Sequence, residues 1–252
     1  MIDLHCHLLP GIDDGPRDLR MTLAIAQLQV DAGVQTVAAT SHVSWDLPND
    51  ATTIARGVAE VREALAAKGI PLDVVAGAEI DVHRAVELPD EQLRALALGG
   101  SPWLLLEAPL QQGVPLEPVV YALVDRGHRI LLAHPERSPI LQRDPAALRR
   151  LVDAGALTQV TAGSLTGRFG RTVQRYAQTL IEENLLHTIA SDAHDAVRRP
   201  PGMRDAIQAA GLREIAPLLT QEIPAAILAG EEIPPVPPLR RTRRGLRALL
   251  GR

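Results

Sequence analysis

The stretch "MIDLHCHLLPGIDDG" (residues 1–15) sets His5 and His7 one residue apart and places Asp13 and Asp14 shortly after them. Further along come His42 in "TSH", Glu79 in "GAEID", Glu107 in "LLLEA", His134 in "AHPER", and Asp192 and His194 in "ASDAH". Imidazole nitrogens mixed with carboxylate oxygens are the donor set that a hard-to-borderline divalent cation takes. A lone H-x-H pair means little. Five histidines and four carboxylates on one face would mean much more, because burying such groups without a cation or partners is costly.

Whether they share a face depends on the elements that carry them. Short apolar, β-branched runs recur at 1–5, 34–40, 72–79, 103–108, 128–134, 157–163 and 187–193. Amphipathic stretches at 17–32, 51–68, 115–126, 145–154 and 171–184 lie between them, several closed by glycine. Strands alternating with helices give βαβ units and a parallel sheet. Seven such units in about 190 residues point to a closed barrel, followed by helices at 203–210 and 214–229. In a parallel barrel the strand C-termini converge on one chemically active rim. His5, His7, His42, His134 and His194 sit at or just past those ends, as do Glu79, Glu107 and Asp192, and Asp13 or Asp14 lies in the loop after the first strand. His128 and His187 begin strands and belong to the opposite rim, where a structural role is expected. Side chains alternate along a strand, so His5 and His7 share a side and Cys6 faces away.

The chain has 252 residues, 46% hydrophobic but only 2% aromatic, which predicts a core of Ala, Val, Ile and Leu. Residues 1–232 read as one domain, 233–239 ("IPPVPPL") as a stiff linker, and the remainder as an Arg-rich tail. Net charge is −4, but residues 240–252 hold six Arg. Without them, 20 basic residues face 30 acidic ones, a net charge of −10. An acidic body is a poor nucleic-acid surface, and the basic tail is a candidate contact for a membrane surface or an acidic partner. No uncharged run exceeds 14 residues, too short to span a bilayer. Cys6 is the only cysteine, so a cytoplasmic location is expected.

"DLHCH", "IDDG", "TSH", "GAEID", "LLEA", "AHPER", "QVTAGSLTGRFG" and "ASDAH" with "RRPP" resemble, in this order, the motifs of the PHP (polymerase and histidinol phosphatase) superfamily. Within it the chain is most similar to the manganese-dependent protein-tyrosine phosphatases of bacterial capsule and exopolysaccharide loci. The resemblance implies a distorted (β/α)7 barrel with three divalent metal ions, Mn2+ first and Fe, Mg, Co or Zn as substitutes. It implies that His5, His7, Glu79 and Asp192 hold the first ion. Glu79 would bridge to a second shared with Glu107 and His134, while Asp14, His42 and His194 would hold the third. Arg137 and Arg199 match the family's phosphate-binding arginines. Two positions depart from the family: Ser138 stands where an aromatic residue is common, and "TSHVSWD" offers Trp45 as an aromatic wall.

The implied function is a phosphomonoesterase in which hydroxide on metal attacks phosphorus directly. Its expected substrate is a phosphotyrosine protein, such as the tail of a bacterial tyrosine kinase. Three divalent cations and two arginines outweigh four carboxylates, so a phosphate dianion is attracted. Tyrosinate is a fair leaving group, with a pKa of ~10. A strong general acid is therefore not essential, and His42 and His194 are the candidates for one. The alternatives are a small-molecule phosphatase such as histidinol-phosphate phosphatase, a non-catalytic metal-dependent regulatory module, and an amidohydrolase. An amidohydrolase commonly bridges its metals with a modified strand lysine, and the chain's sole lysine, Lys68, ends a helix. A cysteine phosphatase needs Arg six residues after Cys6, where Ile12 stands.

Overall fold

Each of the seven predicted apolar runs forms a strand: β1 (Ile2–Cys6), β2 (Thr36–Val43), β3 (Asp73–Asp81), β4 (Trp103–Glu107), β5 (Arg129–Ala133), β6 (Leu157–Thr161) and β7 (Thr188–Ala190). In the computed structural model, which describes residues 1–111 and 116–238, they form one sheet in the order β1 to β7, every pair parallel. The sheet closes on itself. Cys6 pairs with Ala193, His7 N donates to Ala193 O at 2.9 Å, and Asp192 N donates to His5 O at 2.8 Å. The result is a distorted (β/α)7 barrel whose seam lies at the C-terminal rim.

Period-two alternation divides the core. Leu104, Leu106, Ile130, Leu132 and Val160 pack outward against helical Leu65, Leu123, Leu148 and Leu180. Leu105, Leu131, Leu157 and Trp103 fill the barrel with Ile2, Leu4 and Ala38. Ile223 and Ile227 of the helix Ile223–Ala229 join this inner cluster beside the strand starts. The aliphatic core foreseen from the composition is present, with Trp103 the only aromatic residue in the inner cluster. Gly77 on β3 packs closely against Leu98: a Cβ there would lie 2.9 Å from Leu98 Cδ2, so the leucine would have to shift. Because the inner phase of β4 runs Trp103, Leu105, Glu107, the last of these emerges at the mouth.

Some elements differ from expectation. β2 extends to Val43, so His42 lies inside the strand. The helix expected over 214–229 runs from 216 to 229 and widens to a π-helix over Leu218–Glu222. Pro224 lacks the N–H for a regular turn and would clash with the carbonyl four residues back, and the wider π turn relieves both problems. Short helices at Val82–Glu87, Asp90–Leu96 and Pro139–Arg143 follow strand ends; they are too brief to give a periodic signal. The Pro-rich segment from 233 to 238 has no regular structure. Its Ile233 and Val236 pack on the inner cluster, and Asn184 Nδ2 donates to Val236 O at 3.3 Å. The Arg-rich tail lies outside the described residues, as does the second half (112–115) of the loop "APLQQGVP" that follows β4.

Candidate metal centre

β1 does not alternate simply. Its register against β2 shifts between Asp3 and Cys6, so Leu4 joins the inner cluster while His5 also reaches inward to Gln159. Such a bulge re-aims a side chain where a site needs it. Cys6 packs in the outer cluster, as the alternation predicts. His134 and Asp192, just past β5 and β7, take positive φ values of 35° and 52°. Residues other than glycine hold that conformation at a cost, and such strain gathers at functional sites.

Glu79 is the hub. Its Oε2 lies 3.2 Å from His5 Nε2, 3.3 Å from His7 Nε2 and 3.2 Å from His42 Nδ1, and its Oε1 lies 2.7 Å from His134 Nε2. Asp192 has two faces. Its Oδ1 lies 3.5 to 3.7 Å from His5, His7 and His194, while its Oδ2 accepts from Arg137 Nη1 and Arg199 Nη2, each at 2.7 Å. Asp14 Oδ1 is 3.2 Å from His194 Nε2 and 3.6 Å from His42 Nε2. The donor atoms fall into four overlapping groups, each within 4.8 Å: His7, Asp14, His42 and His194; His5, Glu79 and His134; His5, His7 and Asp192; His42, Glu79 and Glu107. All nine expected ligand residues are thus brought together, and both arginines border them.

These residues fit a set of cations. Buried His5 Nε2, His7 Nε2 and His194 Nε2 point at carboxylates yet make no hydrogen bond. Their opposite nitrogens are tied down. His5 Nδ1 lies 2.7 Å from the accepting Gln159 Oε1, His7 Nδ1 lies 2.9 Å from Asp13 Oδ2, and His194 Nδ1 lies 3.0 Å from Asp192 O. Holding one ring nitrogen in this way fixes the tautomer and turns the other lone pair inward, as outer partners of metal-binding histidines do. Of the two aspartates left open by the sequence, Asp13 takes the outer place and Asp14 faces the cluster.

The charges also call for cations. Burial, followed by the charges of Glu79 and Asp81, pushes Glu107 up to about 8. His7 is raised to about 10 in spite of its burial, because Asp13 and Glu79 hold its proton. Both shifts favour a proton where carboxylate charge is crowded, a place a divalent ion would suit, whereas burial takes His134 down to about 4 and leaves its lone pair free for a cation.

Gln159 was not singled out from the sequence. It lies in the inner phase of β6, two residues after Leu157, and a polar residue in that phase is the signal that would have found it. Among the described residues the His83 side chain bonds only to Asp81, and Asp195 accepts from Val197 N and Arg199 N to shape the loop before Arg199. Neither touches the cluster. His128 meets Asp90 at 3.1 Å and His187 meets Thr158 N at 3.2 Å, both on the far rim. Ser138 is buried and donates to Pro109 O at 2.7 Å. Trp45 stands 63% exposed on the near rim, with Arg84 4.9 Å over its ring.

Cys6 is fully buried, and burial followed by the charge of Asp3 drives its thiol far above the ordinary range. Such a thiol is a poor nucleophile. Cys6→Ser is therefore expected to keep phosphatase activity within about threefold, with a modest loss of thermal stability from the buried hydroxyl, whereas a chelator abolishes activity reversibly. Loss of activity in Cys6→Ser with metal content and fold intact would rule out a cysteine-independent reaction.

Comparisons with known proteins agree with this geometry. The family described as capsular polysaccharide synthesis, CpsB/CapC, matches residues 1–215. Tyrosine-protein phosphatase YwqE of Bacillus subtilis (strain 168) is 35% identical over 202 residues, 79% of each chain. Tyrosine-protein phosphatase CpsB of Streptococcus pneumoniae is 27% identical over 217 residues, 82% of this chain and 88% of the relative. A crystal structure from work on those two proteins, described as unique metal-dependent tyrosine phosphatases, superposes with a TM-score of 0.84 at 31% identity, covering 96% of this chain and all of the other.

Proposed function

Because the chain belongs to the CpsB/CapC capsular polysaccharide synthesis family, we propose that it is a metal-dependent protein-tyrosine phosphatase of the non-cysteine kind. The observation that carries this reading is the double duty of Asp192, one oxygen turned to the imidazole cluster and the other accepting from both Arg137 and Arg199. Groups suited to a phosphate are thereby fixed beside groups suited to cations.

In this reading His5, His7, Glu79 and Asp192 hold one ion, Glu79, Glu107 and His134 a second, and Asp14, His42 and His194 a third, with manganese the preferred metal. Bound there, such ions supply Lewis acidity toward phosphoryl oxygens and lower the pKa of water. The chain's own groups do the rest. The two guanidiniums, each held by one N–H on Asp192, have further N–H groups for phosphate oxygens in a fixed fork. Gln159 and Asp13 keep the His5 and His7 lone pairs pointed inward. His42 and His194 each present both ring nitrogens to cluster residues or their backbone, which favours a ligand's part over a general acid's. A tyrosinate, with a pKa of ~10, can leave without one.

The substrate we infer is a phosphotyrosine-bearing protein, the tail of a tyrosine kinase being the finer reading, met in the cytoplasm. Exposed Trp45 offers a surface for a phosphotyrosine ring, and a recessed cluster favours the longer reach of phosphotyrosine over phosphoserine. With Mn2+ present, kcat/KM for a phosphotyrosine peptide is expected to exceed that for a phosphoserine peptide at least ~100-fold, about 2.7 kcal/mol of discrimination, with histidinol phosphate and nucleotides poor. A panel in which histidinol phosphate or a nucleotide came out best would overturn the substrate assignment.

A further inference from the structure

The loop after β6 lies against both arginines, and nothing above gives it a task. Phe169, the chain's only phenylalanine, presents its ring to both guanidiniums: Arg137 Cζ lies 4.5 Å from the ring centroid and Arg199 Cζ 6.0 Å. We propose that Phe169 is a positioning residue for the phosphate-binding arginines, a shared platform that sets the two guanidiniums as a pair. The proposal rests on the reading of Arg137 and Arg199 as phosphate ligands.

Three features seat the platform. Gly163 leaves room for the ring: a Cβ there would lie 3.0 Å from Phe169 Cε2 and 3.2 Å from Arg168 Cδ, so any side chain would press the ring outward. Glu136, next to Arg137, is fully buried and accepts from Ser164 Oγ at 2.6 Å and Thr161 N at 3.0 Å, tying the turn that bears Arg137 to the base of the loop. Arg168, next to Phe169, donates to the carbonyl of Arg198, tying the loop to the segment that bears Arg199. One short loop therefore grips both arginine-bearing segments and sets an aromatic ring within reach of both guanidiniums.

The arrangement answers a physical difficulty. Two cations share a single carboxylate oxygen, so their mutual repulsion must be offset while their N–H edges stay free for a ligand. A ring face attracts a guanidinium without using any of its donors. A hydrogen-bonding group in the same place would occupy the N–H groups that phosphate needs.

The test uses the metal-loaded full chain. Inorganic phosphate binding is measured by calorimetry, alongside metal content and the separate kcat and KM of a phosphotyrosine peptide. Phe169→Leu keeps most of the volume and removes the ring face; it should weaken phosphate binding and raise KM about tenfold with metal content unchanged. Phe169→Tyr should stay within about twofold of wild type, and Gly163→Ala, which shifts the ring without removing it, should fall between. Arg137→Lys should cost several-fold less in the Phe169→Leu background than in wild type, since contacting partners are non-additive. Wild-type phosphate affinity in Phe169→Leu, or strict additivity with Arg137→Lys, would overturn the proposal. Should Phe169→Leu lose its metal, Gly163→Ala decides, and unchanged phosphate affinity there counts against it. Because phosphate itself is the probe, the platform can fail while the tyrosine-phosphatase reading stands, and the substrate panel can fail while the platform stands.

Discussion

Glu79→Ala is expected to lower bound metal and to reduce kcat/KM by more than ~10³-fold. Loss of one group that stabilises a developing charge already costs ~10²–10³-fold, and Glu79 does more than that. Its two oxygens lie within 3.3 Å of four imidazoles, and it sits with Glu107 in the same donor group. Removing it leaves buried imidazoles facing one another across the centre of the cluster. The loss should exceed the ~10–100-fold typical of an outer partner, the place Gln159 occupies. His83→Ala is the control: His83 is exposed and its ring meets Asp81, so near-wild-type kinetics and metal content are expected. Metal analysis and steady-state rates on the two variants decide the matter. Comparable losses from both would show that Glu79 is not the hub.

Arg137→Lys keeps the charge and is expected to lose about 100-fold in kcat/KM. A guanidinium reaches Asp192 Oδ2 through Nη1 at 2.7 Å while other N–H groups remain in the same plane. An ammonium is a point donor that cannot hold the carboxylate and also present a fork. It also forfeits the guanidinium contact with the Phe169 ring. The rate should fall with metal content intact, in contrast to Glu79→Ala. Wild-type kinetics would place the phosphate elsewhere.

Much of this site could be read from residue type and position. The seven apolar runs gave the strands, and the rule that chemistry gathers at the C-terminal rim of a parallel barrel sorted His42, Glu79, Glu107, His134, Asp192 and His194 to one face and His128 and His187 to the other. The division of ligands among three ions came from family resemblance. The rest depended on facts that periodicity does not carry. The shift in β1 that turns both Leu4 and His5 inward breaks the very alternation used to read the strand. Gln159 sits among apolar strand residues, and its meaning appears only when closure of the barrel sets β6 one strand away from β1 and His5. Phe169 lies in a loop whose path is set by tertiary contacts from Arg168, Ser164 and Thr161. The π turn before Pro224 is a local remedy that a helical pattern conceals.

The seam of the barrel has a consequence for how the molecule comes into being. The ends of β1 and β7 meet through one bridge and two backbone hydrogen bonds, and Ser191 adds bonds to Asp3 Oδ1 and His5 O, all between residues about 190 positions apart. That junction brings Asp192 and His194 to His5 and His7, and Arg199 to Asp192. During synthesis, then, the first histidines can meet Glu79 once the third strand is made, but they wait for Asp192 until all seven strands are laid down. A chain stopped short of its seventh strand carries neither the carboxylate that joins the two halves of the site nor the second arginine. The full donor set is complete only when the cylinder shuts, so a half-made copy lacks part of the proposed site.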